Sequence, residues 1–189
     1  MDQEGLSRRQ MVAIEDAKTA LELSLISPLE ETSKVTFRHL AMLAQTKSND
    51  EDVWISLGLA DNVSQSMIGR LDRMRTWTQS RHFPDELRIT ILEEPDVEAV
   101  GRLDDENLAI LPTLIEALDA CEWNTPSIQS TVSNAAKSQD MSPRHAYRAL
   151  YLCIMGTERG PRLPTILAEL DQSTIVNLLR ACLEESVEP

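Results

Sequence analysis

A chain of 189 residues, 42% of them hydrophobic and only 6 of them glycine, can bury a core and is neither fibrous nor disordered. No apolar run approaches the ~20 residues that span a bilayer, and the N-terminus lacks an apolar signal core. Cys121, Cys153 and Cys182 have neither disulfide nor metal spacing, so a cytoplasmic protein with reduced core cysteines is expected, with a net charge of −13.

The pattern is helical almost throughout. Residues 8–26 place Met11, Ile14, Ala17, Leu21 and Leu25 at three- and four-residue steps, and Ser27-Pro28 ends that helix. A second helix is predicted from Thr36 to about Lys47, with Phe37, Leu40, Leu43 and Ala44 inward. Asp50 can cap a short helix closed by Gly58. Ser64 can cap a longer one through Met67, Ile68, Leu71, Met74 and Thr78. His82-Phe-Pro-Asp then breaks the chain. Leu87, Ile89 and Ile91 alternate with polar residues, a short strand or, lacking a partner, an extended connector. The acidic loop 93–98 marks the expected boundary between a helical connector, residues 1–92, and a helical bundle, residues 93–189.

In the second half Asp104 or Asp105 starts a helix that Pro112 should kink or split. Thr125-Pro126 and Ser142-Pro143 each resemble an N-cap followed by proline at the first helical position. The helix after Ser142 stops at Gly156. Pro161 or Pro164 opens another, and Asp171 or Ser173 caps the last. The expected fold is an all-α irregular bundle of eight or nine helices, with no repeat.

Charge is unevenly spread. Residues 89–122 carry ten acids and one Arg, whereas residues 70–88 carry five Arg against three acids and residues 143–162 four Arg against one Glu. Two basic patches on an acidic body could serve phosphate, because screening confines the relevant field to ~10 Å. Ordinary solvated faces of an acidic protein would show the same counts. No nucleophile elbow, phosphate loop or dinucleotide fingerprint is present. His39, His82 and His145 are isolated, which excludes an evident metal site, and Asp104-Asp105 and Glu184-Glu185 suit helix ends better than acid/base work. Neither an enzyme activity nor a cofactor is expected.

One series of blocks is more specific. Val35-Thr-Phe-Arg-His-Leu-Ala-Met-Leu-Ala-Gln45 comes first, then Arg73-Met-Arg-Thr-Trp77 with Phe83-Pro84 and Arg88-Ile-Thr-Ile. Ser142-Pro-Arg-His-Ala-Tyr-Arg-Ala-Leu-Tyr-Leu-Cys-Ile-Met-Gly-Thr-Glu-Arg-Gly-Pro-Arg162 follows. Together they resemble the C-terminal region of class I lysyl-tRNA synthetases, and glutamyl-tRNA synthetases carry a related Gly-x-x-x-Gly-Pro ending. The catalytic signatures, His-x-Gly-His and a Lys-Met-Ser-Lys-Ser-like loop, are absent. The resemblance implies an α-helix cage that binds the tRNA anticodon, with lysine tRNA as the partner and a separate catalytic synthetase subunit as a second one. The alternative is a synthetase-derived protein-interaction module that no longer binds tRNA.

Anticodon bases are splayed single-stranded bases, which need stacking platforms and planar donors. The chain has 14 Arg against 4 Lys, and arginine's fork suits phosphate and base edges. Arg159 and Arg162 flank Gly160-Pro161 ahead of a helix, as anion ligands or as solvated charges. Arg144 and Arg148 lie four apart on one helix face, as a phosphate strip or as partners of nearby acids. Arg70, Arg73 and Arg81 are expected on the outer face of their helix, with Arg75 offset. Trp77, Trp54 and Trp123 fit core positions better than stacking platforms, and with two Tyr and two Phe besides, platforms are scarce.

Overall fold

The computed structural model describes residues 34–186, with Ile14 and Glu15 before them. The chain divides into two compact units, Met1–Lys34 and Val35–Pro189. In the first unit Ile14 and Glu15 are helical and exposed; the rest of the helix expected over 8–26 lies outside the described residues.

The second unit is all-helical among its described residues. Its elements are α1 (Phe37–Thr46), α2 (Asp50–Ser56), α3 (Gln65–Thr78), a 3-10 turn (Asp85–Leu87), α4 (Val97–Val100), α5 (Asp105–Ala120), α6 (Thr125–Ser138), α7 (Pro143–Met155), α8 (Leu163–Leu167) and α9 (Gln172–Glu185). None of these described helices is long and apolar enough to cross a membrane.

Most helices begin on a side chain that satisfies an orphan N–H of the first turn. The Thr36, Ser64, Asp104, Ser142 and Asp171 side chains do so for α1, α3, α5, α7 and α9, and at α5 Asn107 bonds back to complete a capping box. Two boundaries differ from expectation by one residue. Asn49, not Asp50, caps α2, and Asn124, not Thr125, caps α6, so Pro126 sits second in its helix. In each case the asparagine Oδ1 accepts the N–H three residues on, at 2.9 Å. Of the two outcomes expected at Pro112, a kink or a split, the split does not occur, because α5 continues from Asp105 to Ala120. Ile110, Leu111, Leu114, Ile115 and Leu118 are buried on both sides of the proline, and that packing offsets one missing backbone bond.

Residues 88–92 are an extended connector, not a strand. It has no neighbouring strand among the described residues, and Gln45 substitutes for one. Its Nε2 donates to the Leu87 carbonyl at 3.2 Å and its Oε1 accepts from the Ile89 N–H at 3.0 Å. Further on, the Leu92 N–H donates to the Ile154 carbonyl at 2.9 Å, tying the connector to α7.

Two apolar clusters form. One joins α1, α2 and α3 through Leu40, Leu43, Val53, Met67 and Leu71, and it takes in Ile166 from α8. The other is built from α4 to α9 around Ile110, Leu114, Ile128, Leu150, Ile154 and Leu179. Each fully buried leucine or isoleucine contributes about 1.5–3 kcal/mol relative to exposure. Ile89, Ile91 and Leu170 touch both clusters. Trp54 is buried in the first, Trp77 is half-buried against it, and half-buried Trp123 donates its indole N–H to the Leu170 carbonyl at 2.8 Å. The seam between the clusters is further closed by Lys47, whose Nζ reaches the Glu169 carbonyl at 2.6 Å and its carboxylate at 3.2 Å.

Candidate nucleic-acid interface

The Gly-Pro-Arg turn between α7 and α8 is held by two glycines and a tyrosine. Gly156 ends α7 in the left-handed conformation, φ +67°, which L side chains adopt only with strain. Its carbonyl accepts a 2.6 Å bond from Arg102. Gly160 fits closely under a ring, since a Cβ there would lie 3.1 Å from Tyr151 and would push it by a few tenths of an ångström. The Tyr151 hydroxyl donates toward the Gly160 and Pro161 carbonyls at 3.2 and 2.5 Å. The turn is therefore clamped onto α7, and Arg159 and Arg162 project from a fixed backbone.

Arg159 is exposed, and its guanidinium makes no hydrogen bond or ion pair with the described residues. Arg162 is exposed and donates to the Gln129 side chain of α6 at 2.5 Å. Between them α7 and α6 shape a cavity of ≈ 330 Å³ lined by Gln129, Tyr147, Tyr151, Arg162, Leu163 and Pro164. Burial raises the Tyr147 phenol above its ordinary pKa, Tyr151 adds to the shift, and the Arg162 cation opposes it. Burial likewise raises Tyr151, against a backbone hydrogen bond at Leu163. Both phenols are therefore neutral donors at pH 7.

Arg144 stands one helical turn before Tyr147, exposed and without a side-chain partner among the described residues. Arg148 shares its helix but not its circumstances. Its guanidinium reaches Asp104 at 2.8 Å, the Arg102 carbonyl at 3.0 Å, Glu158 at 3.1 Å and the Asn107 side chain. Pairing with acids, the alternative left open by the sequence, is the geometry found for Arg148.

The expected grouping of Arg70, Arg73 and Arg81 on one outer helix face does not form. Arg70 folds inward to the Val35 carbonyl at 3.2 Å. Arg81 lies beyond the end of α3 and donates from Nε to His82 at 3.3 Å. Arg73 stays exposed, folded back over Gly69. Two other arginines of that stretch are structural. Arg75 pairs with Asp50 at 2.9 Å, and Arg88 donates to the Thr78, Ser80 and Phe83 carbonyls at 3.2–3.3 Å.

Sequence reasoning missed Tyr147, Tyr151 and Gln129. Their signal was positional. Both tyrosines of the chain lie four apart on the helix that precedes the Gly-Pro-Arg turn, which puts them on one face. A count of aromatics hides that concentration.

A family model described as "Anticodon binding domain" matches residues 61–183. Among curated proteins, the lysine–tRNA ligase of Picrophilus torridus is 27% identical over 176 residues, 91% of this chain and 34% of that protein. The corresponding protein of Thermoplasma volcanium is 28% identical over 172 residues, 89% and 33% of the two chains. That of Methanopyrus kandleri is 33% identical over 120 residues, 62% and 21%. The chain spans about a third of the length of the first two relatives.

Proposed function

The chain belongs to the anticodon-binding-domain family, and from that premise we propose that it binds the anticodon region of a tRNA, lysine tRNA first among candidates, through the α7–α8 turn. On this reading the chain contributes recognition and no chemistry of its own. A separate catalytic synthetase subunit would supply the ligation.

One observation carries the proposal. On a body of net charge −13, the cavity behind the turn is lined by two phenols, an amide and a guanidinium, without a carboxylate. Such a set stacks on and hydrogen-bonds to a splayed base, while Arg159 and Arg144 remain available for flanking phosphates. Arg73 and Arg81 form a weaker, second set of phosphate candidates. Arg70 and Arg148 act through the fold, because they are half-buried on their protein acceptors, whereas Arg81 and Arg162 stay exposed beside theirs.

Binding to a panel of purified tRNAs at two salt concentrations tests the proposal. Lysine tRNA should be preferred, and affinity should fall steeply with salt. Arg159→Glu/Arg162→Glu should reduce it by tenfold or more with unchanged thermal stability. Absence of binding at low salt would overturn the tRNA reading and turn attention to a protein partner for the acidic stretch 89–122.

A further inference from the structure

A second cavity, ≈ 370 Å³, lies on the other side of Arg162, between the start of α1 and the turn. Phe37, Met42, Ile89, Pro161 and Ile166 give it apolar walls, and Arg38 stands at its rim. No carboxylate lines it, although the chain carries 31 acids. Arg38 is exposed, and its guanidinium makes no hydrogen bond or ion pair with the described residues.

Phe37 is 51% exposed although it opens an apolar helix face. It is the outer end of an aromatic row. Its ring lies 5.2 Å from Trp77, and Trp77 meets Phe83 edge-on at 4.6 Å. The inner rings are packed and fix the position of the outer one. A fixed, half-bare ring beside an arginine that has no ion pair among the described residues suits a flat apolar group that carries an anion.

We infer that this groove holds a further nucleotide of the same single-stranded RNA, its base against Phe37 and its phosphate at Arg38. The inference rests on the tRNA reading above. Continuity supports it, because Arg162 lines both cavities and a strand leaving the Tyr147 cavity past that guanidinium enters the groove directly. Charge supports it too. An apolar peptide would gain nothing from an acid-free rim, whereas a phosphodiester strand would.

The test compares tRNA binding by the wild-type chain, Phe37→Ala and Arg38→Ala across a salt series. Arg38 is exposed and makes no hydrogen bond or ion pair with the described residues, so its removal should leave the fold intact even if Phe37→Ala loosens Trp77. Phe37→Ala should weaken binding about tenfold, the ordinary size of one stacked base. Arg38→Ala should weaken it less and reduce the slope of log K against log salt by about 0.7, the value for one single-strand phosphate. A photo-reactive benzoylphenylalanine at position 37 should crosslink to the RNA. If the wild type binds tRNA, Arg162→Glu loses it, and both groove variants bind like wild type, the groove inference fails and the tRNA reading stands. Crosslinking from position 37 to protein in place of RNA also overturns it. If the wild type binds no tRNA, both fall.

Discussion

Arg148→Met should destabilise the protein by about 2 kcal/mol and leave RNA recognition intact. Methionine keeps most of the buried stem and removes only the guanidinium. The partners differ in what they lose. Asp104 and Glu158 are about half exposed, at 52% and 54%, so each ion pair contributes roughly 0–1 kcal/mol. The Arg102 carbonyl belongs to an exposed residue and can return to water. Asn107 is different, being 0% exposed, and its Oδ1 would keep only a 3.3 Å contact from the Asp104 N–H. A charged hydrogen bond to a buried acceptor is worth about 1.5–3 kcal/mol, which sets the estimate. At this chain length that lowers the melting temperature by about 4–8 °C. Arg148→Lys should not recover it, since a point charge cannot reach four divergent acceptors. Urea denaturation followed by circular dichroism measures the effect, and tRNA affinity is then read well below the melting transition. A variant within ~0.5 kcal/mol of wild type whose tRNA affinity falls tenfold would refute the structural assignment and make Arg148 a phosphate ligand.

Gly160→Ala should weaken tRNA binding more than it weakens the fold, because its Cβ pushes on the Tyr151 ring that clamps the turn; equal affinity for both proteins in a filter-binding assay would contradict this. Asp171 predicts an acid-side effect. Hydrogen bonds from the Ser173 hydroxyl, the Thr174 N–H and the Thr174 hydroxyl hold its pKa below the ordinary value of about 3.9 in the folded state. The ionised form is thus favoured by folding, so its contribution is complete above pH ~4 and is lost as pH falls through the lowered value. Asp171→Ala should melt at a lower temperature at neutral pH and show a flatter decline in acid; parallel profiles for the two proteins would rule this out.

Helices and their stops were legible because local chemistry determines them. Ser64, Ser142 and Gly156 act within a few residues of their own position, and each behaves as its sequence context predicts. At Asn49-Asp50 and Asn124-Thr125 the sequence reading takes the second residue of each pair, whereas the asparagine before it caps the helix through its Oδ1. Pro112 does not split its helix, for a different reason. Its cost is local, while the compensation comes from apolar residues that meet only in the folded core. The arginines were the least legible. Arg144 and Arg148 have the same spacing logic on one helix, yet the acceptors of Arg148 come from residues 102–107 and 158, and no periodicity reveals them.

Ile166 gives the small helix α8 an importance beyond its length. Five residues cannot hold a helix by themselves, since nucleation alone outweighs what so few bonds return. Leu163 and Leu167 are anchored in one core and Ile166 in the other. The helix that follows the turn bearing Arg159 and Arg162 is therefore seated in both cores. Residues 93–189 prepared alone would hold Arg144, Arg159, Arg162 and the clamp on α7, but would leave Ile166 without the core that receives it. Loosening of the first core should accordingly be felt at α8, so that affinity can report how far the two cores unfold together.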